Sequence, residues 1–234
     1  METLIKLQKQ LNITFHNLTL FKQVFIHRSY LNEVKQALSS NERLEFLGDS
    51  ILSYLVSEYL YKKFADLPEG ELTNLRSSVV KTATLASIAK SLNLGDCLFL
   101  SRGEEESGGR GNPSLLADTF EALLGAIYLD LGLSAVVAVL NKFLFPLLPK
   151  IMKEKSYKDD KSTFQELVQE VTKFSPIYKV LREEGPDHAK KFTVGVYVGN
   201  NLWGEGNGKS KHEAEQVAAT SALEKWRKKD YNNQ

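Results

Sequence analysis

The hydrophobic periodicity of this chain changes part-way along its length, and this change limits the possible folds more than any other property. Up to about Met152, apolar residues recur at the spacing of one face of an α-helix, as in Leu44, Leu47, Ile51 and Leu55. Beyond residue 160 the pattern includes short runs that alternate like β-strands. A chain of 234 residues with two such patterns is expected to form two domains.

The second pattern predicts the order α-β-β-β-α. A helical stretch with Phe164, Leu167 and Val168 on one face is followed by strand-like runs near 177–181, 192–198 and 202–203, and then by an amphipathic helix. Ser162 is expected to cap the first helix. The strands are expected to be antiparallel, with helices covering one face of the sheet. Residues 153–160 are almost purely charged, which is typical of an exposed linker.

The net charge, the cysteine content and the apolar stretches of the chain exclude few functions. The net charge of +1 argues neither for nor against a polyanionic partner. Cys97 is the single cysteine, so no intramolecular disulfide can form, and the first residues lack the layout of a secretory signal. We therefore expect a cytoplasmic protein. The apolar stretch 122–141 is predicted to be two buried helices, broken near Asp130 and Gly132 with Ser134 as N-cap, and not a membrane span.

Two pairs of carboxylates lie in apolar helical segments. Glu45 and Asp49 are four residues apart, and Asp118 and Glu121 are three apart. Like charges at these spacings destabilise a helix by roughly 0.2–0.5 kcal/mol, and none of the four has a Lys or Arg three or four residues away. A divalent metal could supply the missing positive charge, and oxygen ligands without a Cys/His cluster favour Mg²⁺ or Mn²⁺ over zinc.

Spacing alone leaves a second interpretation open. Each acid pair could simply be solvated on an exposed helix face, and nothing in the spacing shows that the two helices meet. Two pairs without cations in apolar surroundings favour the metal site over this alternative.

Two segments resemble the ribonuclease III family. Asn41–Ser50 resembles its signature segment, and Leu116–Leu123 resembles its second acidic segment. The order α-β-β-β-α resembles the family's double-stranded-RNA-binding domain. The resemblance implies an all-α catalytic domain over residues 1–152, a charged linker over 153–160 and an α+β RNA-binding domain over 161–230.

The resemblance also implies the roles of the acidic residues. The expected Mg²⁺ ligands are the four paired acids, Glu45, Asp49, Asp118 and Glu121. Of these, Asp49 and Glu121 are expected to be most critical for the chemistry. Glu42 and Glu69 match further acidic positions of the family's cleft. We give these two residues less weight as site residues. Glu42 could simply be a charge at the start of a helix, and Glu69 could simply be a turn residue.

The activity that the resemblance implies is Mg²⁺-dependent hydrolysis of double-stranded RNA, with Mn²⁺ as a substitute. The products would have 5′-phosphate and 3′-hydroxyl ends and short 3′ overhangs. The enzyme would act as a homodimer through its N-terminal domain, in ribosomal and messenger RNA processing. His27, although it lies in a segment that matches the family, has no base, nucleophile or metal partner in the sequence and is interpreted as structural.

By the same resemblance, the second domain would contact the RNA through two helix ends and one turn. An A-form duplex is recognised by shape, through 2′-hydroxyls and phosphates. Lys209 and Lys211 precede or begin the last helix, where free backbone N–H groups would favour phosphate. His212 departs from the usual pattern, in which a second basic residue follows Lys211. The expected RNA-binding residues are Ser162, Gln165, Glu166, His188, Lys209 and Lys211.

Two other functions compete with the nuclease. One is a regulator that binds double-stranded RNA with a silent nuclease site, and the other is a helical assembly factor without chemistry. The presence of all four acids favours the enzyme.

Overall fold

The chain divides into two units in the computed structural model: a helical unit, Met1–Tyr157, and a second unit, Lys158–Gln234. The structure describes residues 2–34, 38–153, 160–186 and 190–231, with side chains described as far as Trp226. The predicted linker, 153–160, lies almost entirely outside the described residues. The predicted domain limits, 1–152 and 161–230, stay predictions.

The helical unit consists of helices and connecting segments over its described residues, as the periodicity predicts, with a parallel bridge between Ile26 and Phe99. Short 3₁₀ turns connect several of the helices, including Arg28–Asn32 and Leu94–Cys97. The α-helices are α1 (Glu2–Leu11), α2 (Leu18–Gln23), α3 (Glu42–Lys63), α4 (Glu69–Val80), α5 (Thr82–Ser91), α6 (Arg102–Glu106), α7 (Pro113–Leu131), α8 (Leu133–Phe143) and α9 (Leu148–Lys153).

Helix α7 lies at the centre of this unit. Its residues 122–127 are all buried, so the helix is covered on every side over that stretch. It packs against α3 and α5, and α3 contributes Leu44, Leu52 and Val56 to the same core. The two acid pairs are therefore carried by helices that pack against each other in the core.

The break between α7 and α8 differs in detail from the prediction. Helix α7 ends at Leu131, and Gly132 has φ +84°, a left-handed conformation that glycine adopts without a Cβ penalty. Ser134 already lies inside α8, so its predicted capping role is wrong. The Asp130 carboxylate instead accepts hydrogen bonds from the backbone N–H groups of His16 and Asn17.

One described stretch, Leu133–Lys153, is long and apolar enough to cross a bilayer by length and composition. Buried core helices meet the same criterion, so this is weak evidence for a span. Val136, Val139 and Leu140 of this stretch are buried in the core of the helical unit.

The second unit has the predicted α-β-β-β-α order. Its sheet is antiparallel throughout, in the order β1-β2-β3 over the described residues. Helix α10 starts at Asp160, so Ser162 lies inside the helix and its predicted capping role is wrong. The elements are α10 (Asp160–Thr172), β1 (Ile177–Glu184), β2 (Lys191–Val198), β3 (Asn201–Gly208) and α11 (Lys211–Tyr231).

Strand β3 and helix α11 pack at unusually short range. A Cβ atom on Gly206 would lie 2.2 Å from the backbone nitrogen of Ala218, and one on Gly204 would lie 2.4 Å from the Ala218 carbonyl oxygen. Glycine on the strand and small alanines on the helix, including Ala214, allow this approach. The packing brings the start of α11 next to the end of β3.

Candidate metal centre and nucleic-acid surface

Helices α3 and α7 cross at two glycines. A Cβ atom on Gly48 would lie 1.8 Å from the carbonyl oxygen of Glu121, and one on Gly125 would lie 2.3 Å from the carbonyl oxygen of Leu44. Only glycine permits backbones so close. Gly48 lies between the two acids of α3. At the crossing, the acid pair of α3 therefore lies next to the acid pair of α7.

Sequence reasoning missed these two glycines, although it could have found them. A glycine inside a helix costs about 1 kcal/mol relative to alanine, so its presence there often has a packing reason. Gly48 follows Glu45 by three residues and Gly125 follows Glu121 by four, which is one helical turn from each acid pair.

The crossing gathers three of the four predicted ligands. Glu45, Asp118 and Glu121 each offer a carboxylate oxygen, and these oxygens lie within 4.8 Å of one another. All three residues are partly buried, whereas Asp49 is exposed. Asp49 still lies near enough for its charge to raise the pKa of Glu121.

Burial makes these carboxylates hard to ionise without a cation. Desolvation, followed by the charges of Asp49, Asp118 and Glu45, raises the pKa of Glu121 to about 8. Desolvation likewise raises the pKa of Glu45, with the charges of Asp118, Glu42 and Asp49 adding to it. Oxygen ligands that repel one another at short range fit a hard divalent cation, which would relieve both effects.

A cavity of about 240 Å³ adjoins the carboxylate cluster. Glu45 and Asp118 line it together with His27 and Arg28. Desolvation raises the pKa of Asp118, and the charge of His27 opposes that shift. The cavity thus joins acidic and basic groups from segments that are far apart in the sequence.

Glu42 and Glu69, the two acids given less weight, lie in different surroundings. Glu42 lines the cavity, but one carboxylate oxygen lies 3.6 Å from the Arg28 guanidinium and the other accepts a hydrogen bond of 2.9 Å from Ser40. Glu69 is the first residue of α4 and not a turn residue, because Pro68 is the N-cap. It accepts a hydrogen bond from Thr73 and lines a different cavity.

The predicted RNA-binding residues of α10 lie at the surface of the second unit. Gln165 and Glu166 are exposed, and Ser162 is partly buried. His188 lies outside the described residues. An exposed polar helix face is compatible with contacts to a duplex groove.

The start of α11 is more fully hydrogen-bonded than predicted. The Ser210 hydroxyl accepts from the backbone N–H of Glu213, and the Glu213 carboxylate accepts from the backbone N–H of Lys209, at 3.1 and 2.7 Å. This reciprocal cap occupies the N–H groups of Lys209 and Glu213, and the expected phosphate contact at this end stays a prediction. The side chains of Lys209, Lys211 and His212 are exposed.

Two family models match the chain. The model described as Ribonuclease-III-like matches residues 17–148, and the model described as Double-stranded RNA binding motif matches residues 161–226. The first covers the helices that carry the acid pairs, and the second covers the α-β-β-β-α unit.

Curated relatives match almost the full length of the chain. Ribonuclease 3 of Pelotomaculum thermopropionicum is 46% identical over 225 residues, which are 96% of this chain and 93% of the relative. Ribonuclease 3 of Borreliella burgdorferi is 46% identical over 221 residues, or 94% and 90% of the two chains. A crystal structure of the nuclease domain of ribonuclease III from Campylobacter jejuni is 39% identical, with a TM-score of 0.57, and the match covers 62% of this chain and 98% of that one.

A helical unit with a carboxylate site for a divalent metal, followed by a unit that binds double-stranded RNA, defines an endoribonuclease for duplex RNA. The chain belongs to the ribonuclease III family.

Proposed function

We propose that Glu45, Asp49, Asp118 and Glu121 hold Mg²⁺ for the hydrolysis of RNA phosphodiester bonds, and that Mn²⁺ can replace it. Support comes from the oxygen-only ligands and from the carboxylate oxygens of Glu45, Asp118 and Glu121, which lie within 4.8 Å of one another. When bound, the cation supplies Lewis acidity, which lowers the pKa of a coordinated water and offsets charge on the phosphate and the leaving 3′ oxygen. Hydrolysis then leaves 5′-phosphate and 3′-hydroxyl ends.

Asp49 and Glu121 have the most critical roles in this proposal. Glu121 lies at the glycine crossing, and three neighbouring carboxylates raise its pKa beyond the effect of burial. Asp49 is the exposed member of the set and lies where RNA and water can reach the cluster. Together they link the buried ligands with the substrate side of the site.

The enzyme is proposed to act as a homodimer through the helical unit. Helix α3 presents Phe46, Tyr54 and Tyr61 to solvent, with exposed fractions of 77%, 55% and 74%. Their spacing of eight and seven residues places them on one helix face. A cavity of about 440 Å³ between α3 and α4 includes Tyr54 and Tyr61 in its lining. In a similar structure, that of the C. jejuni nuclease domain, a region involved in dimer formation shows structural flexibility.

Such a dimer explains the expected products. A two-fold axis would present one carboxylate cluster to each RNA strand, which mirrors the symmetry of a duplex. Two offset cuts then leave short 3′ overhangs. The large exposed side chains of Phe46, Tyr54 and Tyr61 also favour contact with a second copy of the chain over contact with water.

The second unit is proposed to hold the duplex by its backbone and grooves. The exposed residues of α10 and the exposed lysines at the start of α11 support this role. The proposed contacts are Ser162, Gln165, Glu166, His188, Lys209 and Lys211. Because such contacts read shape more than sequence, substrate choice would depend on RNA structure.

The proposed setting is the cytoplasm, with ribosomal and messenger RNA precursors as substrates. A single buried cysteine, Cys97, agrees with a reducing compartment. Duplex regions within these precursors offer the structure that the second unit would bind.

The carboxylate cluster at the glycine crossing is the observation that carries the proposed chemistry. The experiment incubates the purified chain with a perfect RNA duplex in Mg²⁺, in Mn²⁺ and in EDTA, with single-stranded RNA and a DNA duplex as controls. Metal-dependent cuts in the RNA duplex alone, with phosphate at the new 5′ ends, are expected. Binding without cleavage in either metal would instead support the regulator with a silent site.

A further inference from the structure

His27 lies at a junction that orients its imidazole ring. Its backbone N–H donates to the carbonyl oxygen of Phe99 at 3.1 Å, next to a parallel bridge between Ile26 and Phe99. The residue is the N-cap of the 3₁₀ turn Arg28–Asn32. The ring lines the cavity that also contains Glu45 and Asp118.

The hydrogen bonds around the ring determine which nitrogen carries the proton. Nδ1 accepts from the backbone N–H of Ser29 at 3.3 Å and lies 2.8 Å from the Ser29 hydroxyl. That hydroxyl oxygen accepts from the backbone N–H of Ser101 at 3.0 Å, so its own proton is available for Nδ1. An acceptor role for Nδ1 leaves the hydrogen of the neutral ring on Nε2.

Nε2 is therefore a donor, and within the described residues no side chain or backbone oxygen accepts from it. Its partner is an acceptor that enters the cavity, either a water molecule or an oxygen of the substrate. The cavity, at about 240 Å³, has the volume of about eight liquid-water molecules and so exceeds the needs of a single cation.

The charges around the cavity restrict that partner further. Glu45 and Asp118 contribute acidic groups, and Arg28 contributes a guanidinium that is 73% exposed and lies 3.6 Å from Glu42. A neutral acceptor could gain a hydrogen bond from Arg28, and an anion would gain the attraction of its charge in addition. Glu42, Glu45 and Asp118 together outweigh Arg28, so an anion would bind here when a cation on the carboxylates offsets their charge, with Arg28 adding attraction.

We propose that this cavity is a subsite for a backbone phosphate of the RNA, in which His27 donates from Nε2 to a non-bridging oxygen and Arg28 supplies positive charge. The inference rests on the proposed metal site at Glu45 and Asp118. It makes His27 a phosphate-binding residue as well as the cap of a turn. Phosphate held here aligns the strand beside the carboxylates.

Two substitutions separate the binding role from the capping role. His27→Asn keeps an oxygen that can accept from the Ser29 N–H, but it places no donor at the Nε2 position. His27→Gln reaches the Nε2 position with an amide N–H, but it loses the short-range acceptor. The proposal therefore expects His27→Asn to be the more stable variant and His27→Gln the more active one.

The measurements are the thermal unfolding temperature without metal, duplex affinity in EDTA and the single-turnover cleavage rate in Mg²⁺. His27→Asn is expected to cleave about tenfold more slowly than wild type, because a hydrogen bond to a charged group is lost. Its duplex affinity in EDTA should change less than about twofold, since the contacts proposed for the second unit do not involve His27. His27→Gln should recover most of the rate despite a lower unfolding temperature.

Arg28→Gln is compared with Arg102→Gln, which removes an exposed arginine from a surface ion pair with Glu106 away from the cavity. Only Arg28→Gln is expected to slow cleavage, by about threefold to tenfold. Wild-type rates for His27→Asn, or equal losses of rate in both His27 variants, would overturn the proposal. An inactive wild type would instead overturn the proposed metal chemistry, which the wild-type assay detects first.

Discussion

The two units of this protein use the same packing device to produce opposite kinds of surface. In the helical unit, Gly48 and Gly125 let α3 and α7 approach so closely that carboxylates from both helices share a partly buried site. In the second unit, Gly204 and Gly206 let β3 approach α11 just as closely, yet Lys209 and Lys211 beside this contact stay exposed.

The difference lies in what flanks the glycines. Next to Gly48 are ionisable groups, so close packing removes water from them and raises their pKa values, as for Glu121. Facing Gly206 is the backbone beside the alanines of α11, so close packing there only orders the start of the helix, near Lys209. One unit thereby concentrates charge that requires a cation, and the other presents lysines to a polyanion.

Glu121→Gln should break the first unit's function and leave the second unit's function intact. Cleavage of duplex RNA in Mg²⁺ should fall about a thousandfold or more, because a charged ligand becomes a neutral amide. Duplex affinity in EDTA should be unchanged. The Mg²⁺-dependent rise in unfolding temperature should shrink.

The matched control for this substitution is Glu106→Gln, which changes an exposed glutamate paired with Arg102. It should cleave like wild type. Full cleavage by Glu121→Gln would contradict the assignment of the metal site.

Gly48→Ala tests the crossing itself. The new Cβ would lie 1.8 Å from the Glu121 carbonyl oxygen, so the helices must separate. We expect a loss of about 3 kcal/mol in the free energy of unfolding, from denaturant titration, together with strongly reduced cleavage.

Gly103→Ala is the control, because nothing lies within 4 Å of a Cβ atom built on this helical glycine. It should stabilise α6 slightly, by up to about 1 kcal/mol. Equal stability of both alanine variants would show that the crossing tolerates a side chain.

The double substitution Lys209→Gln and Lys211→Gln tests the second unit. Loss of two phosphate contacts should lower duplex affinity about tenfold at physiological salt and reduce the slope of log affinity against log salt by about 2. The cleavage rate at saturating RNA should stay near wild type. Lys225→Gln, near the other end of α11, is the control and should leave the slope unchanged.

A further expected effect is a pH dependence of stability without metal. The pKa of Glu121 is raised to about 8 in the folded chain from 4.5, so the folded state binds the proton more tightly than the unfolded state. Its stabilising contribution is complete below pH 4.5 and is lost as the pH rises through about 8. Thermal unfolding in EDTA should follow this decline, and Glu121→Gln should flatten it.

Mg²⁺ should also reverse the decline above pH 7, because the cation binds the ionised carboxylates. A stability that rises with pH in EDTA across this range would contradict the burial of Glu121 as the main cause of its pKa shift.

Local patterns in the sequence were sufficient to predict the helical class of the first unit and the element order of the second, but not the helix starts near Ser134 and Ser162. Periodicity and turn residues indicated the helices and the order α-β-β-β-α, and the spacing of Glu45, Asp49, Asp118 and Glu121 placed each pair on one helix face. The lack of neighbouring cations already indicated a need for positive charge. These properties depend on residues within one or two turns of one another, and that is why a linear pattern carries them.

Only the tertiary structure determines how closely the two acid pairs approach each other. It also determines that His27 lies beside them. The approach of α3 to α7 depends on side-chain volumes on both helices, and the glycines at the crossing acquire their role only when each faces the other helix. His27 reaches the cavity beside Asp118, 91 residues further along, through a bridge to Phe99 that no local pattern predicts.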